Sequence, residues 1–361
     1  MMRKHALGAI RSTIVAIAVL APLSAGSAQA ADACPKRGGT IKTVDMNWVT
    51  MDPVASVDPE SYLRLLYDSL IDVTMDLTYR PGLAEAMPER VGDKAWLFHL
   101  RKGVKFHDGT DFNGAAVKFA MDRLVEGKVP SPWTGVWKEW LEKLVVVDPY
   151  TVRFELKRPW PDFIWNVAST FFIGSPTAIE KFGAEFGTKS AAGTGPFILK
   201  AFTPRQRIEV VRNPNYYRTG EPCIDGVIGT FIASGSVRLL GVRKGELTNV
   251  MTFPESQLPL LDGATDVVEK EGRATTLSAL IVNTRFGPLH DKRVRQAIQH
   301  AVDAKEIVDK VYRGRGEVME SIFPPWHPGF TKAADLKPIR PDRELAKKLL
   351  AEAGYGPDKP V

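Results

Sequence analysis

The 361-residue chain has only two cysteines, Cys34 and Cys223, and no C-x-x-C pair. A disulfide-dense scaffold and a four-cysteine zinc site are therefore both excluded. The histidines are His5, His99, His107, His290, His300 and His327, and none falls at an H-x3-H or HExxH spacing. No local pattern sets two imidazoles on one face, as a zinc site would need. The sequence lacks a G-x-S-x-G elbow and a Walker-type phosphate loop, so it carries no local signature of acyl transfer or nucleotide hydrolysis. It also lacks a block of like charge. The 48 basic and 42 acidic residues leave a net +6, a mild and scattered excess that gives no warrant for a nucleic-acid partner. No apolar run beyond residue 30 approaches the about 20 residues that a membrane-spanning helix requires.

The amino terminus is distinctive. Arg3, Lys4 and Arg11 precede an apolar run from Ile14 to Leu20, a break at Pro22 and the small-residue stretch Ala28-Gln29-Ala30. That order predicts a secretory signal peptide over residues 1–30, cleaved after Ala30. Cleavage removes three cations and no acids, which lowers the net charge to +3. Asp32 is a poor fit to a lipoprotein signal, so acylation of Cys34 is not expected. Export makes one Cys34–Cys223 bridge chemically reasonable, while two free thiols remain the alternative.

Along the chain, strand and helix patterns alternate. Ile41 to Asp45 reads as a strand, followed by a loop ending at Asp52-Pro53, and helical spacing of Tyr62, Leu65, Leu66 and Leu70 predicts a helix over 60–70. Ala95 to Val104 reads as a strand entering a turn at His107-Asp108-Gly109-Thr110, after which Asn113 caps a helix with Val117, Ala120, Met121 and Leu124 inward. Strands are expected at Thr151 to Leu156, Arg207 to Val211, around Asn249 to Thr252, and from Arg273 to Asn283. Val294, Ala297, Ile298, Ala301 and Val302 form a helical stripe, and Asp303 with Glu306 starts a further helix. A last helix is expected from Asp342 to Ala353, stopped by Gly354. The pattern argues for an α/β architecture with mixed sheets.

His107 beside Asp108 has a catalytic look, but Asp and Gly in a turn serve backbone hydrogen bonding and positive φ, and the architectural reading is preferred. Arg293 and Arg295 read as a solvated helix face in preference to a docking patch. Ligands of open α/β sheets tend to sit beyond the carboxyl ends of strands. That rule singles out the loop residues Asn47, Trp48 and Phe253, with Trp326 of the Pro324-Pro325-Trp326-His327 loop as a further aromatic, and for each aromatic core or surface packing is the preferred reading over ligand contact. The Asn47 amide can both donate to and accept from a peptide-like backbone. No catalytic residue, metal ligand or cofactor is assigned.

Several blocks together carry a resemblance: Gly38 to Thr40 (GGT), Asp52-Pro53, Trp96 through Leu124, Gly193 to Phe197 (GTGPF), Asn213 to Tyr217 (NPNYY), Asn283 through Tyr312, and Ala346 to Tyr355 (AKKLLAEAGY). In this order they resemble the bacterial extracellular solute-binding proteins of family 5, which include the oligopeptide-, dipeptide- and nickel-binding proteins of ABC importers. The resemblance implies a bilobal periplasmic-binding-protein-like fold with an extra inserted domain. Residues 34–56 and 195–282 would form the first lobe, 57–194 the inserted small domain, and 283–361 the start of a second lobe. Family members continue well past the AKKLLAEAGY-like helix, so the second lobe is expected to be incomplete here. The resemblance further implies a monomeric periplasmic non-enzyme that captures a small solute, a peptide first of all, and hands it to an ABC permease and its ATPase. A nickel complex or a sugar is the alternative cargo. Readings of another class are an exported hydrolase, for which no nucleophile–base pair is readable, and a fragment without independent function.

Overall fold

Two four-stranded sheets, each with its own apolar core, organise the chain in the computed structural model. It describes residues 34, 36–45, 48–56, 62–74, 78–250, 255–270, 277–285, 287–319, 321, 323 and 339–361. The signal-peptide expectation lies outside these residues.

The first sheet has the order β1 (Thr40–Asp45), β10 (Gly226–Phe231), β9 (Arg207–Arg212), β8 (Phe197–Thr203). β1 runs parallel to β10, with Thr40 opposite Gly226 and Asp45 opposite Phe231, while the other pairs are antiparallel. A parallel pair needs a long crossover, and here the crossover holds the whole second sheet. That sheet has the order β4 (Glu89–Val91), β5 (Ala95–His99), β7 (Thr151–Leu156), β6 (Leu141–Asp148), antiparallel throughout. A short hairpin of β2 (Ile71–Val73) and β3 (Tyr79–Pro81) precedes it.

Alternation along β5 and β7 turns Phe98, Val152 and Phe154 inward, and α2 (Gly114–Glu126), α3 (Thr134–Trp140) and α4 (Phe163–Thr170) cover them. The centre is aromatic: Trp137 contacts Phe154, Trp160, Phe163 and Phe171 at centroid distances of 5.2–6.4 Å. Each fully buried ring of this kind contributes on the order of 1.5–3 kcal/mol. Asn113 caps α2 as the sequence predicts, its side chain accepting from the Ala115 and Ala116 amides. The first sheet buries Phe197, Ile208, Val210 and Val227 against α1 (Leu63–Leu66), α5 (Pro176–Phe182) and Met51. The helices that flank the second sheet in sequence, α1 and α5, thus pack on the first sheet.

Three sequence expectations differ from the structure. The helix expected over 60–70 is described only as the four-residue α1. It stops because the Leu66 carbonyl accepts from the Gly195 amide and Tyr67 turns extended, at φ −130° and ψ 148°. No strand forms over 277–283, where Leu280 is 71% and Ile281 92% exposed. Periodicity alone cannot supply the neighbouring strand that such a run requires. At 248–250 the chain lies beside β1 without becoming a named strand, the Thr248 amide donating to the Lys42 carbonyl at 2.8 Å.

Beyond the first sheet, α6 (Gly235–Arg243) is followed by α7 (Lys292–Ala301), α8 (Ala304–Lys310) and α9 (Arg343–Glu352). α7 and α9 pack together, burying Val294, Ala297 and Ala346. The α7 stripe is only partly covered, and Val302 at its end is exposed. Arg293 donates to the Glu352 carbonyl at 2.6 Å and Arg295 to the Leu289 and His290 carbonyls, so both serve helix ends. Cys34 and Cys223 are joined by a disulfide that ties the segment before β1 to the segment before β10.

Candidate functional site

The carboxyl ends of the parallel pair β1 and β10 lie side by side, and three connections meet there. The loop after β1 carries Trp48; its carbonyl accepts from the Arg205 amide at 2.7 Å in the β8–β9 turn. That turn in turn accepts from the end of β10, the Phe231 amide donating to the Gln206 carbonyl at 2.9 Å. The Trp48 ring meets Tyr62 edge-on and lies over Gly229, where an added Cβ would come within 3.5 Å of the indole. Its Nε1–H is buried and finds no hydrogen-bond partner among the described residues. An unmade buried hydrogen bond costs about 1–3 kcal/mol, so this donor is a local cost that the packing of the ring against Tyr62 and Gly229 offsets. Val49 and Phe231 add exposed apolar surface at the same edge.

The loop is held rigidly from behind. The Arg123 guanidinium of α2 makes two bonds to Asp52, at 2.7 and 2.6 Å, and both side chains are nearly excluded from water. The Met51 amide donates to the Gly187 carbonyl at 2.7 Å, and its carbonyl accepts from the Tyr67 hydroxyl at 2.9 Å. Burial and the Asp52 charge push the Tyr67 phenol well above its usual range, which keeps it a donor. Gly187 has φ +89° and its Cβ would strike Thr50 Oγ1, so no side chain fits there.

A second cluster of polar groups lies where the two sheets join. His107, in the turn after β5, points both ring nitrogens at the backbone of the crossover: Nδ1 accepts from the Gly193 amide at 3.3 Å, and Nε2 faces the Gly195 carbonyl at 3.0 Å. That pairing specifies the neutral Nε2–H tautomer. Ser175 donates to Asp108 at 2.5 Å while capping α5 through the Ala178 amide. The three side chains therefore make no nucleophile–base pair, because the imidazole is committed to the backbone. Nearby, a cavity of about 440 Å³ is lined by Arg64, Asp68, Asp72, Arg80 and Tyr216 among others. Arg64 and Arg80 hold Asp72 at 2.8 and 2.7 Å, with Arg218 at 3.4 Å. Among the described residues no group of three or more His, Cys, Asp or Glu is arranged to hold a metal ion.

Of the four residues singled out from the sequence, Trp48 is at the β1–β10 edge, largely inside the first core. Asn47, Phe253 and Trp326 lie outside the described residues. Asp52, Arg123 and Tyr67, which fix the Trp48 loop, were not singled out. The Asp52-Pro53 step and the polar Arg123 on an otherwise apolar helix face were the available signals.

Residues 78–360 match the family model described as bacterial extracellular solute-binding proteins, family 5 Middle. The Glutathione-binding protein GsiB of Shigella dysenteriae serotype 1 is 28% identical over 349 residues, covering 96% of this chain and 66% of the relative. The chain thus spans just under two thirds of the length of that relative. Among solved structures, the periplasmic binding protein DppA from Helicobacter pylori, in complex with peptide STSA, superposes with a TM-score of 0.81 at 26% identity, covering 89% of this chain and 67% of that one. The binding protein MoaA from A. tumefaciens R10, in complex with mannopinic acid, gives 0.74 at 26% identity, over 89% and 66%.

Proposed function

Since the chain belongs to family 5 of the bacterial extracellular solute-binding proteins, with their periplasmic-binding-protein-like α/β fold, we propose that it captures a small peptide-like solute and delivers it to an ABC importer. The observation that carries this reading is the β1–β10 carboxyl edge, where a rigidly held loop sets the exposed Val49 and Phe231 side chains beside the buried Trp48 ring. Such an edge offers apolar surface to the side chains of a peptide-like solute, and a pre-set loop lowers the ordering cost of binding. Two of the similar proteins, the Glutathione-binding protein GsiB and DppA in complex with peptide STSA, take ligands of this class.

In this reading residues 34–56 and 195–282 form the first lobe and 57–194 the inserted domain, whose α1 and α5 ends sit on the first sheet. Residues 283–361 begin the second lobe. Asn47, Trp48, Phe253 and Trp326 face the solute. The lobes close because the ligand makes contacts in the closed form that the open form lacks. No bond is made or broken, and the relatives are binding proteins. The chain is exported by its amino-terminal signal, acts as a periplasmic monomer, and meets the permease and its ATPase at the membrane. Titration calorimetry with glutathione, the peptide STSA and mannopinic acid tests the cargo class. Saturable binding of either peptide with a negative heat-capacity change supports it; binding of mannopinic acid alone overturns it.

A further inference from the structure

The junction between the two sheets contains one carboxyl group that nothing above uses. Asp68 follows α1 as the chain leaves for β2. Its Oδ2 accepts from Thr194 Oγ1 at 2.9 Å in the crossover segment, and its Oδ1 from the Tyr216 hydroxyl at 3.2 Å beyond β9. Three chain segments, far apart in sequence, thus meet on one carboxylate. We propose that Asp68, Thr194 and Tyr216 form a proton-operated clamp that strengthens the attachment of the inserted sheet to the first sheet when the surroundings turn mildly acidic.

The charges around Asp68 come from every neighbouring element. Asp72 of β2 is a like charge; Arg218, beyond β9, is the facing cation, and it also holds Asp72. Arg64 of α1 and Arg80 of β3 are spent on Asp72, while Tyr217 and Glu221 complete the set from the segment after β9. His107 bonds to Gly193 and Gly195, the residues either side of Thr194. Burial is the largest influence and raises the Asp68 carboxyl from 3.8 to about 6; the Thr194 bond, the Arg218 charge and the Tyr216 bond oppose it, and Asp72 adds to it. The folded protein therefore holds this proton more tightly than the unfolded chain. The stabilisation is complete below 3.8 and is lost as pH rises through about 6. Once protonated, Asp68 supplies a donor, and the two hydroxyls can turn to accept it. The adjoining cavity of about 440 Å³ gives the carboxyl access to solvent protons.

The test compares urea unfolding of the full chain with that of Asp68→Asn at several pH values from 4.5 to 7.5. His107 and the other titrating groups are common to both proteins and cancel in the difference. The variant should be the more stable protein at pH 7.5 by roughly a hundredfold in the folding constant, a two-unit pKa difference, and the advantage should shrink to about sixfold by pH 4.5. A difference that does not change with pH overturns the clamp. The Asp68 carboxyl carbon, followed by NMR in the unaltered protein, decides independently of whether the variant folds. A midpoint near 6 supports the proposal, and one near 4 overturns it.

Discussion

Arg123 on the helix that covers the second sheet grips Asp52 in the loop leaving the first sheet, through two parallel bonds at 2.7 and 2.6 Å. The pair crosses 71 residues of sequence and lies almost wholly out of water. Removing one partner leaves the other as an uncompensated buried charge. Arg123→Ala should cost about 3–5 kcal/mol of stability, read as a lowered urea midpoint. Replacing both partners, as Asp52→Leu with Arg123→Met, should cost less than the single change. A loss under 1 kcal/mol for Arg123→Ala would show that the pair is solvated in solution.

The crossover passes α1 so closely that glycine is required. A Cβ at Gly193 would lie 2.1 Å from the Leu66 carbonyl oxygen, and one at Gly195 would lie 2.5 Å from the Leu66 carbonyl carbon. These are backbone atoms, so nothing flexible can yield. Gly193→Ala should destabilise by about 1–3 kcal/mol or more. Gly103→Ala is a useful contrast, since space there is open and only its positive φ resists. Equal losses at the two sites would show that the contact at Gly193 is not tight.

The His107 imidazole is held below its ordinary value of 6.5 by burial, against the opposing Gly195 carbonyl and Asp108 charge. The folded protein therefore binds this proton less tightly than the unfolded chain does. Its contribution is present above 6.5 and is lost as pH falls from there through the lower folded value. His107→Gln, which can keep one backbone bond, should flatten the acid-side decline of stability between pH 6.5 and 5. An unchanged decline would assign it elsewhere.

The Cys34–Cys223 bridge closes a loop of 189 residues. Restricting so long a loop in the unfolded chain stabilises by about 2–5 kcal/mol. Cys34→Ser with Cys223→Ser should lower the unfolding midpoint accordingly, and reducing agent should act on the parent but not on the variant. Insensitivity of the parent to reductant would mean that the thiols are free.

The sequence pattern was most legible where a local signal decides the structure. Asn113 before an apolar stripe, the His107–Thr110 turn with Gly109 at φ +86°, and Asp342 ahead of the last helix all need only neighbours in sequence. It was least legible where the partner is distant. Leu65 and Leu70 carry helical spacing, yet α1 stops at Leu66 because Gly195, 129 residues later, takes its carbonyl. The grip of Arg123 on Asp52 was invisible for the same reason. Trp48 was legible as a loop aromatic beyond a strand, but not that Gly229 and Tyr62 would enclose its ring.

The central claim is recognition without chemical change, and native mass spectrometry of the full chain after exposure to a mixed di- to tetrapeptide pool tests it most directly. One bound peptide per chain, released with its mass unaltered, is the expected result. A chain that retains no peptide while the pool gains cleavage products would contradict it.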